Sequence, residues 1–449
     1  MRGLLNLAIA TAATFITTSL SAPIVVNPGG IKDLEITYHN TVNSTAATKE
    51  GGISISTAIK EDGISILDTA DPLKISLVNN FEGGQMYAYV TGQDPSGAIV
   101  MLSTDGSWHF PDPLGSVIPI AINASVALPL GATGQTTELT LPDYLSSGRV
   151  WIAEGTLSFF TVAGADGKAT LVEPSSANPS DPSAAINWGF VELTNTKEAG
   201  IFANISFVDF VGLVVGMTLT LGSGETQTVK GLAKGAIESI CNDLKTQAAS
   251  DGQPWDDMCV LDTEGNPLRI QSPNLYIANN PSAMEDYYND YIEQVWSKYA
   301  NEDLIINTQT DAGNVACRTT DSRISCDGDN REYPKPTTAD IWGCNSGPFA
   351  IHADDNAIHK AVVPRLCAAF TRTTLLTDGG NTQPGLARNS YYQSSPTNHY
   401  SRIVHSYETD GRGYAFSYDD VNPDNENEAG VVSGVNPTVL ELHVGGFSS

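Results

Sequence analysis

Basic residues are scarce in this chain of 449 residues. Lys and Arg together number 23 against 51 Asp and Glu, so the formal net charge at pH 7 is −28. A surface of this sign repels the phosphates of nucleic acids and anionic lipid headgroups. The composition therefore predicts no nucleic-acid partner and no membrane partner, and it suits an uncharged partner in an acidic extracellular medium.

Long apolar runs are also missing after the N-terminus, where no stretch has the length needed to span a bilayer. The first 22 residues combine a short basic start, an apolar run and a small residue at Ala22, which is the pattern of a secretory signal peptide. We expect residues 1–22 to be removed and the protein to be secreted and extracellular. Pro23 is a poor residue directly after the cut, so the exact cleavage site stays open.

Cysteine is limited to six residues, an even number, and a secreted chain would pair them as three disulfides. They are Cys241, Cys259, Cys317, Cys326, Cys344 and Cys367. Six cysteines allow fifteen pairings, among which we predict the sequential one. The glycosylation sequons at Asn43, Asn123 and Asn204 agree with a eukaryotic secretory route.

Several chemical signatures are absent. No G-x-S-x-G element supports a serine hydrolase, and no phosphate-binding glycine loop stands out. The stretch HADDNAIH contains His352, Asp354, Asp355 and His359, but histidines seven residues apart fit no common zinc spacing. The two acids are instead explained as the N-cap of a helix. We therefore predict no metal site and no cofactor.

The chain is long enough for two substantial units. Residues 24–230 form short segments rich in Val, Ile, Thr and Phe between Gly, Pro, Asn and Asp, which is typical of a β-sandwich or barrel. Residues 232–375 contain three apolar stripes at helical spacing, and Pro364 is expected to kink or break the third helix. We predict a β domain over residues 23–231, an α/β disulfide-containing domain over 232–375, and C-terminal strands over 376–449 that return to the β domain.

Two carboxylates interrupt apolar strands. In FVELTN the alternation places Phe190, Glu192 and Thr194 on one face of a strand. Asp209 lies between Val208 and Phe210 in the next apolar segment. Acid-catalysed glycoside hydrolysis needs two carboxyl groups in surroundings that separate their pKa values. The alternative is that each is a strand acid paired with an arginine or a hydroxyl.

A regular hairpin would not bring these two carboxylates together. With a turn near residues 196–199, Asp209 lies several residues beyond the cross-strand partner of Glu192. A bend, a bulge or a crossing between sheets must therefore close the distance.

A third acidic feature lies near the end of the chain. The segment GYAFSYDDVNP alternates aromatic and small residues and ends with Asp419 and Asp420. We expect a returning strand that carries one of these carboxylates into the cleft behind the other two acids, where it would raise the pKa of the catalytic acid. The alternative is that both only cap the turn before Pro423.

These segments occur in the same order as motifs of thaumatin-like proteins: SGRVW, FVELTN, NISFVDFVGL and GYAFSYDDVNP. From about residue 24 to 445, the chain more specifically resembles the glycoside hydrolase family 64 β-1,3-glucanases. That resemblance implies a mainly β plus α/β fold, in which a thaumatin-like β-sandwich or barrel carries an inserted α/β domain. A wide glucan-binding groove would lie between the two domains.

The resemblance further implies an inverting hydrolase that releases short laminari-oligosaccharides, laminaripentaose in particular, from β-1,3-glucan. By the matching motifs, Glu192 would be the general acid and Asp209 the general base. We add as substrate-binding candidates Thr194, Arg149, Trp188, Asp419 and Asp420. The chain is expected to act as a monomer without a cofactor. The alternative function is a non-catalytic β-glucan-binding or antifungal protein with the same groove.

The chain departs from these families at several positions. Leu193 replaces a usual Phe, LVVG replaces a Leu-Pro pair after Asp209, and the cysteine framework of plant thaumatin-like proteins is absent from the β region. Asn204 stands where the thaumatin-like pattern often has another acid. A glycan on Asn204 would crowd the groove, so we predict that it is unmodified or points away.

Overall fold

The computed structural model describes residues 23–43, 72–424 and 426–448. The predicted signal peptide and the β-like stretch over residues 53–67 lie outside the described residues. The part of the fold that carries the candidate site is mainly β. Its strands are β1 (Ile24–Val25), β2 (Thr41–Asn43), β3 (Lys74–Asn79), β4 (Met86–Gln93), β5 (Ile99–Leu102), β6 (Trp108–His109), β7 (Ile120–Ala121), β8 (Leu128–Pro129), β9 (Thr136–Thr140), β10 (Leu145–Glu154), β11 (Phe160–Ala163), β12 (Ala169–Val172), β13 (Asn187–Thr196), β14 (Gly200–Ile205), β15 (Phe210–Val211), β16 (Val215–Leu221) and β17 (Thr226–Val229).

Helices and further strands follow. The helices are α1 (Ala236–Asp251), α2 (Pro273–Asn279), α3 (Asn289–Tyr299), α4 (Thr338–Gly343), α5 (Ala357–Thr371) and α6 (His399–Tyr407). The strands are β18 (Cys259–Leu261), β19 (Pro267–Gln271), β20 (Leu304–Asn307), β21 (Asn314–Thr319), β22 (Arg323–Cys326), β23 (Tyr333–Pro334), β24 (Thr382–Gln383), β25 (Val432–Gly434) and β26 (Pro437–Val444). The architecture is thus mainly β with some helices.

Two sheets build the core beneath the site. One has the strand order β25-β14-β13-β10-β4-β5-β6, with β8 paired to β4, and the other has the order β17-β16-β26-β3-β9. Val150 and Val191 of the first sheet share one buried apolar cluster with Leu77 and Leu440 of the second. The strand β26 pairs with β16 on one side and β3 on the other, so residues near the C-terminus complete the second sheet.

Three smaller sheets surround this pair. Their strand orders are β2-β12-β11-β7, β1-β18-β19-β15 and β23-β22-β21-β20-β24. The sheet that contains β15 matters most for the site, because it joins the β-rich region to β18 and β19 beyond α1.

Local signals explain where most helices begin. The helices α2, α4, α5 and α6 start after Ser272, Thr337, Asn356 and Asn398, whose side chains accept a hydrogen bond from the backbone three residues on. Such caps satisfy a donor that the first helical turn leaves unpaired. The predicted cap of α5 at Asp354 or Asp355 was therefore wrong.

Other local predictions can be compared directly with the structure. The helices α1, α3 and α5 lie in residues 232–375, where the three helical stripes are predicted, and α5 continues through Pro364 without a break. The sequential disulfides Cys241–Cys259, Cys317–Cys326 and Cys344–Cys367 are confirmed. The predicted strand over residues 413–420 was wrong, because this segment consists of bends and turns with one isolated bridge from Tyr414 to Ser206.

Candidate functional site

Glu192 lies in the middle of β13, and the predicted alternation of that strand is confirmed. Val191 and Leu193 are buried in the core between the two large sheets. Phe190 belongs instead to an aromatic cluster on the other face. Glu192 and Thr194 share that other face and are partly exposed. The strand thus directs the Glu192 carboxylate away from the main core, and its side chain is 20% exposed.

Arg149 is the direct cross-strand neighbour of Glu192, because β10 pairs with β13 at this position. Its Nη2 lies 3.1 Å and its Nε lies 3.3 Å from Glu192 Oε1. A register shift in β10 between Leu145 and Gly148 immediately precedes the arginine. Bulges of this kind change the direction of the side chains that follow. On the other side of β13, Asn204 Nδ2 donates to Glu192 Oε2 at 3.3 Å.

Glu173 is a carboxylate of this site that the sequence analysis missed. It follows β12, its side chain is 1% exposed, and its Oε2 accepts from Arg149 Nη1 at 2.5 Å. Its Oε1 accepts from Thr91 Oγ1 at 3.2 Å, and Thr91 accepts in turn from Trp151 Nε1. An acid directly after the apolar run of TLVEP is the signal that could have identified it, by the same reasoning that selected Asp209.

Asp209 reaches the site because the chain changes sheets. After β14 the backbone bends at Val208 and Asp209 and then enters β15, which pairs with β19 rather than with β13. The Asp209 carbonyl accepts a hydrogen bond from Ser272 N at 2.8 Å, which fixes the bend. This is the crossing between sheets that the sequence required.

Charges converge on Arg149 from several sides. Burial alone would lower its pKa, but the carboxylates of Glu173, Glu192 and Asp209 raise the pKa of Arg149 above its usual value, so the guanidinium stays charged. Burial raises the pKa of Glu173, and the charge of Arg149 opposes that shift. One cation therefore stands in the electrostatic field of both predicted catalytic carboxylates.

A small recess opens beside these groups. Arg149, Asp209 and the aromatic ring of Phe190 line it, together with His39 and the segment 175–177. His39 Nδ1 lies 3.7 Å from Asp209 Oδ1, and the Asp209 side chain is 29% exposed. His39 belongs to the N-terminal segment 23–43, whose strand β2 pairs with β12 next to Glu173. The recess thus offers a carboxylate and hydroxyl groups beside an aromatic wall.

Trp188 is mostly buried next to the recess. Its side chain is 3% exposed and packs against Trp151 and Phe210 at ring distances of 5.4 and 4.6 Å. The guanidinium of Arg269 covers the ring at 5.2 Å. Trp188 also lines the recess beside Arg149 and Asp209, so its assignment to substrate binding stays a prediction.

Asp419 also lies away from any accessible surface. Its side chain is 1% exposed, and its carboxylate is 2.9 Å from Arg372 Nη2 and 3.0 Å from His405 Nε2. Its second oxygen also accepts from the backbone of Ala415 at 2.8 Å. This burial contradicts the assignment of Asp419 as a substrate ligand and identifies it as an anchor of the turn that follows Ala415.

Asp420 is more exposed than Asp419. It is partly exposed and hydrogen-bonds to Tyr414. Burial, opposed by that hydrogen bond, raises the pKa of Asp420 to about 6. Burial and then the charge of Asp420 raise the pKa of Tyr414, and Glu192 adds to the same shift. The hydroxyl of Tyr414 therefore experiences the charges of both Asp420 and Glu192.

Asp355, the buried acid of HADDNAIH, and His359 of the same segment are both used in ion pairs, whereas Asp354 is exposed. Asp355 accepts from Arg331 through both of its oxygens, and His359 Nδ1 contacts Asp329 at 2.9 Å. Among the residues that the structure describes, no group of three or more His, Cys, Asp or Glu side chains has the geometry of a metal site. Within the same ranges, no helix combines the length and the apolarity needed to cross a bilayer.

The sequence is similar to those of known β-1,3-glucanases. A model of glycoside hydrolase family 64, described as β-1,3-glucanase, matches residues 71–444. A glucan endo-1,3-beta-glucosidase of Cellulosimicrobium cellulans is 26% identical over 361 residues, and the match covers 78% of this chain and 61% of the relative. An enzyme of the same name from Arthrobacter sp. (strain YCWD3) matches to the same extent. The chain thus spans about three fifths of the length of these curated relatives.

Solved structures of β-1,3-glucanases are also similar to this chain. The crystal structure of a laminaripentaose-producing β-1,3-glucanase in complex with laminaritetraose superposes with a TM-score of 0.72 at 26% identity, covering 83% of this chain and 98% of that one. A family 64 domain from Clostridium beijerinckii shares the fold at 19% identity, with a TM-score of 0.65 and the same coverage.

Proposed function

The chain belongs to glycoside hydrolase family 64, and on that premise we propose that it is a secreted, inverting hydrolase that cuts β-1,3-glucan into short laminari-oligosaccharides, laminaripentaose among them. The curated relatives carry the name glucan endo-1,3-beta-glucosidase. The N-terminal signal pattern and the three disulfides support secretion.

One observation carries the catalytic proposal: Glu192 lies on β13 and Asp209 lies in the bend before β15, a strand of a different sheet, and both lie in the field of Arg149. Two carboxyl groups held on independent elements can be separated by the width of a water molecule. An inverting mechanism needs that gap, with about 6.5 to 9.5 Å between the two groups. Two acids at neighbouring positions of a single strand pair would lie too close for it.

In this mechanism Glu192 is the general acid and Asp209 the general base. Glu192 gives its proton to the glycosidic oxygen while the bond from that oxygen to the anomeric carbon breaks. Asp209 takes a proton from the attacking water, whose oxygen forms the new bond on the opposite face of the sugar. One water is consumed for each bond cut, and exchange with solvent returns the proton from Asp209 to Glu192.

Substrate contacts are assigned by exposure and position. Thr194 shares the face of Glu192 one strand repeat away, and Arg149 lines the recess beside Asp209. We propose that these two side chains contact the sugar, with Asp420 at the edge of the site behind Tyr414. The protein would act as a monomer, with the glucan in a groove between a thaumatin-like β domain over residues 23–231 and an α/β domain over 232–375.

The test is hydrolysis of linear β-1,3-glucan by the wild-type protein, Glu192→Gln and Asp209→Asn. Products are separated by chromatography, and the anomeric form of fresh products is read by NMR. We expect α-anomeric oligosaccharides from wild type and a loss of at least about 100-fold in kcat for each variant, because each removes one proton-transfer group.

Two variants control for charge loss alone. Glu198→Gln and Asp143→Asn neutralise exposed carboxylates elsewhere in the β-rich region and should retain wild-type activity. Binding of glucan by the wild-type protein with no product at any pH would instead favour the non-catalytic glucan-binding alternative. β-Anomeric products would contradict the inverting assignment.

A further inference from the structure

Arg149 poses a problem for the acid assigned to Glu192. A general acid must keep its proton until the transition state, whereas a cation in hydrogen-bond contact favours the ionised carboxylate. Arg149 makes that contact with Glu192 through two nitrogens, at 3.1 and 3.3 Å. Unless the charge of the guanidinium is compensated, the reaction proposed above would lose its proton donor.

Glu173 supplies a compensating charge on the opposite edge of the same guanidinium. Its Oε2 accepts a hydrogen bond from Nη1 of Arg149, whereas Oε1 of Glu192 accepts from Nε and Nη2. The Glu173 side chain is 1% exposed and the Arg149 side chain 19%, so solvent screens this pair only weakly. The buried carboxylate therefore offsets much of the positive charge that Glu192 would otherwise experience.

Glu173 is itself held in place. Thr91 Oγ1 donates to the second carboxylate oxygen at 3.2 Å, and Trp151 Nε1 donates to Thr91 at 3.0 Å. On the other side, the guanidinium carbon of Arg149 lies 4.7 Å from the centre of the Phe190 ring. Arg149 is thus confined by an anion at one edge and by an aromatic face, which leaves its remaining nitrogens directed at Glu192.

The other charged or titratable groups around the cluster come from separate elements. Asp209 acts on Arg149 from the bend before β15, and His39 stands next to Asp209. The charge of Glu192 acts on Tyr414 of the C-terminal turn region. Among the described residues of this cluster, the carboxylates of Glu192 and Glu173 contact the guanidinium of Arg149. Glu192 is assigned a proton transfer, and Glu173 is not.

We propose that Glu173 is a positioning residue for the hydrolysis: it anchors Arg149 and offsets its charge, so that Glu192 remains protonated at the pH at which the enzyme works. The proposal rests on the proposed function, in which Glu192 is the acid. It assigns no proton transfer to Glu173 itself.

The direct test is the titration of the Glu192 carboxyl, followed by 13C NMR of protein labelled at the glutamate side-chain carboxyl and assigned with Glu192→Gln. In Glu173→Gln the midpoint of the Glu192 titration should fall by about one pH unit, the lower end of the effect of an arginine on a carboxyl. In the double variant Arg149→Met/Glu173→Gln it should return toward the wild-type value, because both charges are gone. An unchanged midpoint in Glu173→Gln would overturn the proposal.

This measurement does not depend on turnover, so it separates the proposal from the proposed function. If wild-type protein yields no product but the midpoint moves as expected, the charge coupling stands and the reaction assignment fails. Should Glu173→Gln not fold, Arg149→Met tests the same coupling from the other side. It should raise the Glu192 midpoint, and an unchanged value there would equally overturn the proposal.

Kinetics then connect the coupling to catalysis. The alkaline limb of the pH profile of kcat/KM, which reports the essential acid of the free enzyme, should move to lower pH in Glu173→Gln by the same amount as the NMR midpoint. Glu173→Asp keeps the charge and should keep the limb close to its wild-type position. If the role of Glu173 were merely structural, Glu173→Gln would reduce activity at every pH and leave the alkaline limb in place. The exposed control Glu198→Gln should change neither the activity nor the limb.

Discussion

Asn204 donates from Nδ2 to Glu192 Oε2 at 3.3 Å, so an uncharged amide occupies the position nearest to the proposed catalytic acid on β14. Asn204 is 3% exposed. A glycan on Nδ2 would have to fit at this buried position beside Glu192. Of the two predicted possibilities, that the sequon at Asn204 is unmodified or that it points away, this geometry supports the first.

Replacing this amide by a carboxylate should change the pH profile in a defined direction. In Asn204→Asp, a second negative charge beside Glu192 favours its protonated form. We expect the alkaline limb of kcat/KM to move to higher pH by about one unit, opposite to the shift in Glu173→Gln. Asn123→Asp is the matched control, because it makes the same change at an exposed sequon. An alkaline limb that does not move in Asn204→Asp would mean that Glu192 is not the acid.

The pair of His39 and Asp209 predicts a shift of the acidic limb of the pH profile of kcat/KM. When His39 is protonated, its Nδ1 at 3.7 Å from Asp209 favours the ionised carboxylate that a general base requires. In His39→Gln that support is lost, and the acidic limb of kcat/KM should move to higher pH by up to about one unit. His109→Gln, a partly exposed histidine on β6, is the control. A shift of the alkaline limb alone would contradict the assignment of Asp209 as base.

The sequence revealed the proposed acid because its signal is local. Glu192 interrupts a strand whose period of two is visible in six residues, and its exposed face follows from that period alone. The sequence also required a crossing between sheets to bring Asp209 close, and the bend before β15 provides one. What it could not give is which strand lies next to β13, since that depends on long-range pairing.

The failures have equally physical causes. Arg149 was found only as a motif residue, whereas its bridge between Glu173 and Glu192 requires the pairing of β10 with β13 and the placement of β12. In GYAFSYDD the aromatic alternation predicts a strand. The backbone there instead folds into turns around the buried pair of Asp419 and Arg372, a tertiary interaction that overrides the local pattern.

The disulfide Cys344–Cys367 joins the end of α4 to α5 and closes a loop with a sequence separation of 23 residues. Both cysteines are buried. The double variant Cys344→Ala/Cys367→Ala should lose about 3 kcal/mol of unfolding free energy, chiefly because its unfolded chain is less constrained. Urea unfolding measures this loss. The same change at Cys317 and Cys326, with a separation of 9 residues, should cost less. Equal losses would contradict the loop-length argument.

The final prediction concerns the adjacent carboxylates of Asp419 and Asp420, because their surroundings shift the two pKa values in opposite directions. Burial would raise the pKa of Asp419, but His405 and Arg372 hold it below its usual value. Asp419 therefore contributes stability above the unfolded pKa of about 3.9, and this is lost as pH falls through the lower folded value. Burial raises the pKa of Asp420 to about 6. The contribution of Asp420 to stability is present below the unfolded pKa of about 3.9 and is lost as the pH rises through the folded pKa of about 6.

At pH 7 the two isosteric variants should consequently diverge. Asp419→Asn leaves the buried Arg372 without its carboxylate and should lower the unfolding free energy by about 3 to 5 kcal/mol. Asp420→Asn removes a charge whose burial is unfavourable at that pH, and it should be neutral or stabilising. Urea unfolding at pH 5 and pH 7 separates the two, since the effect of Asp420→Asn should become less favourable at pH 5. If both variants lost the same free energy at pH 7, the buried pair of Asp419 with Arg372 would not be the anchor of this turn.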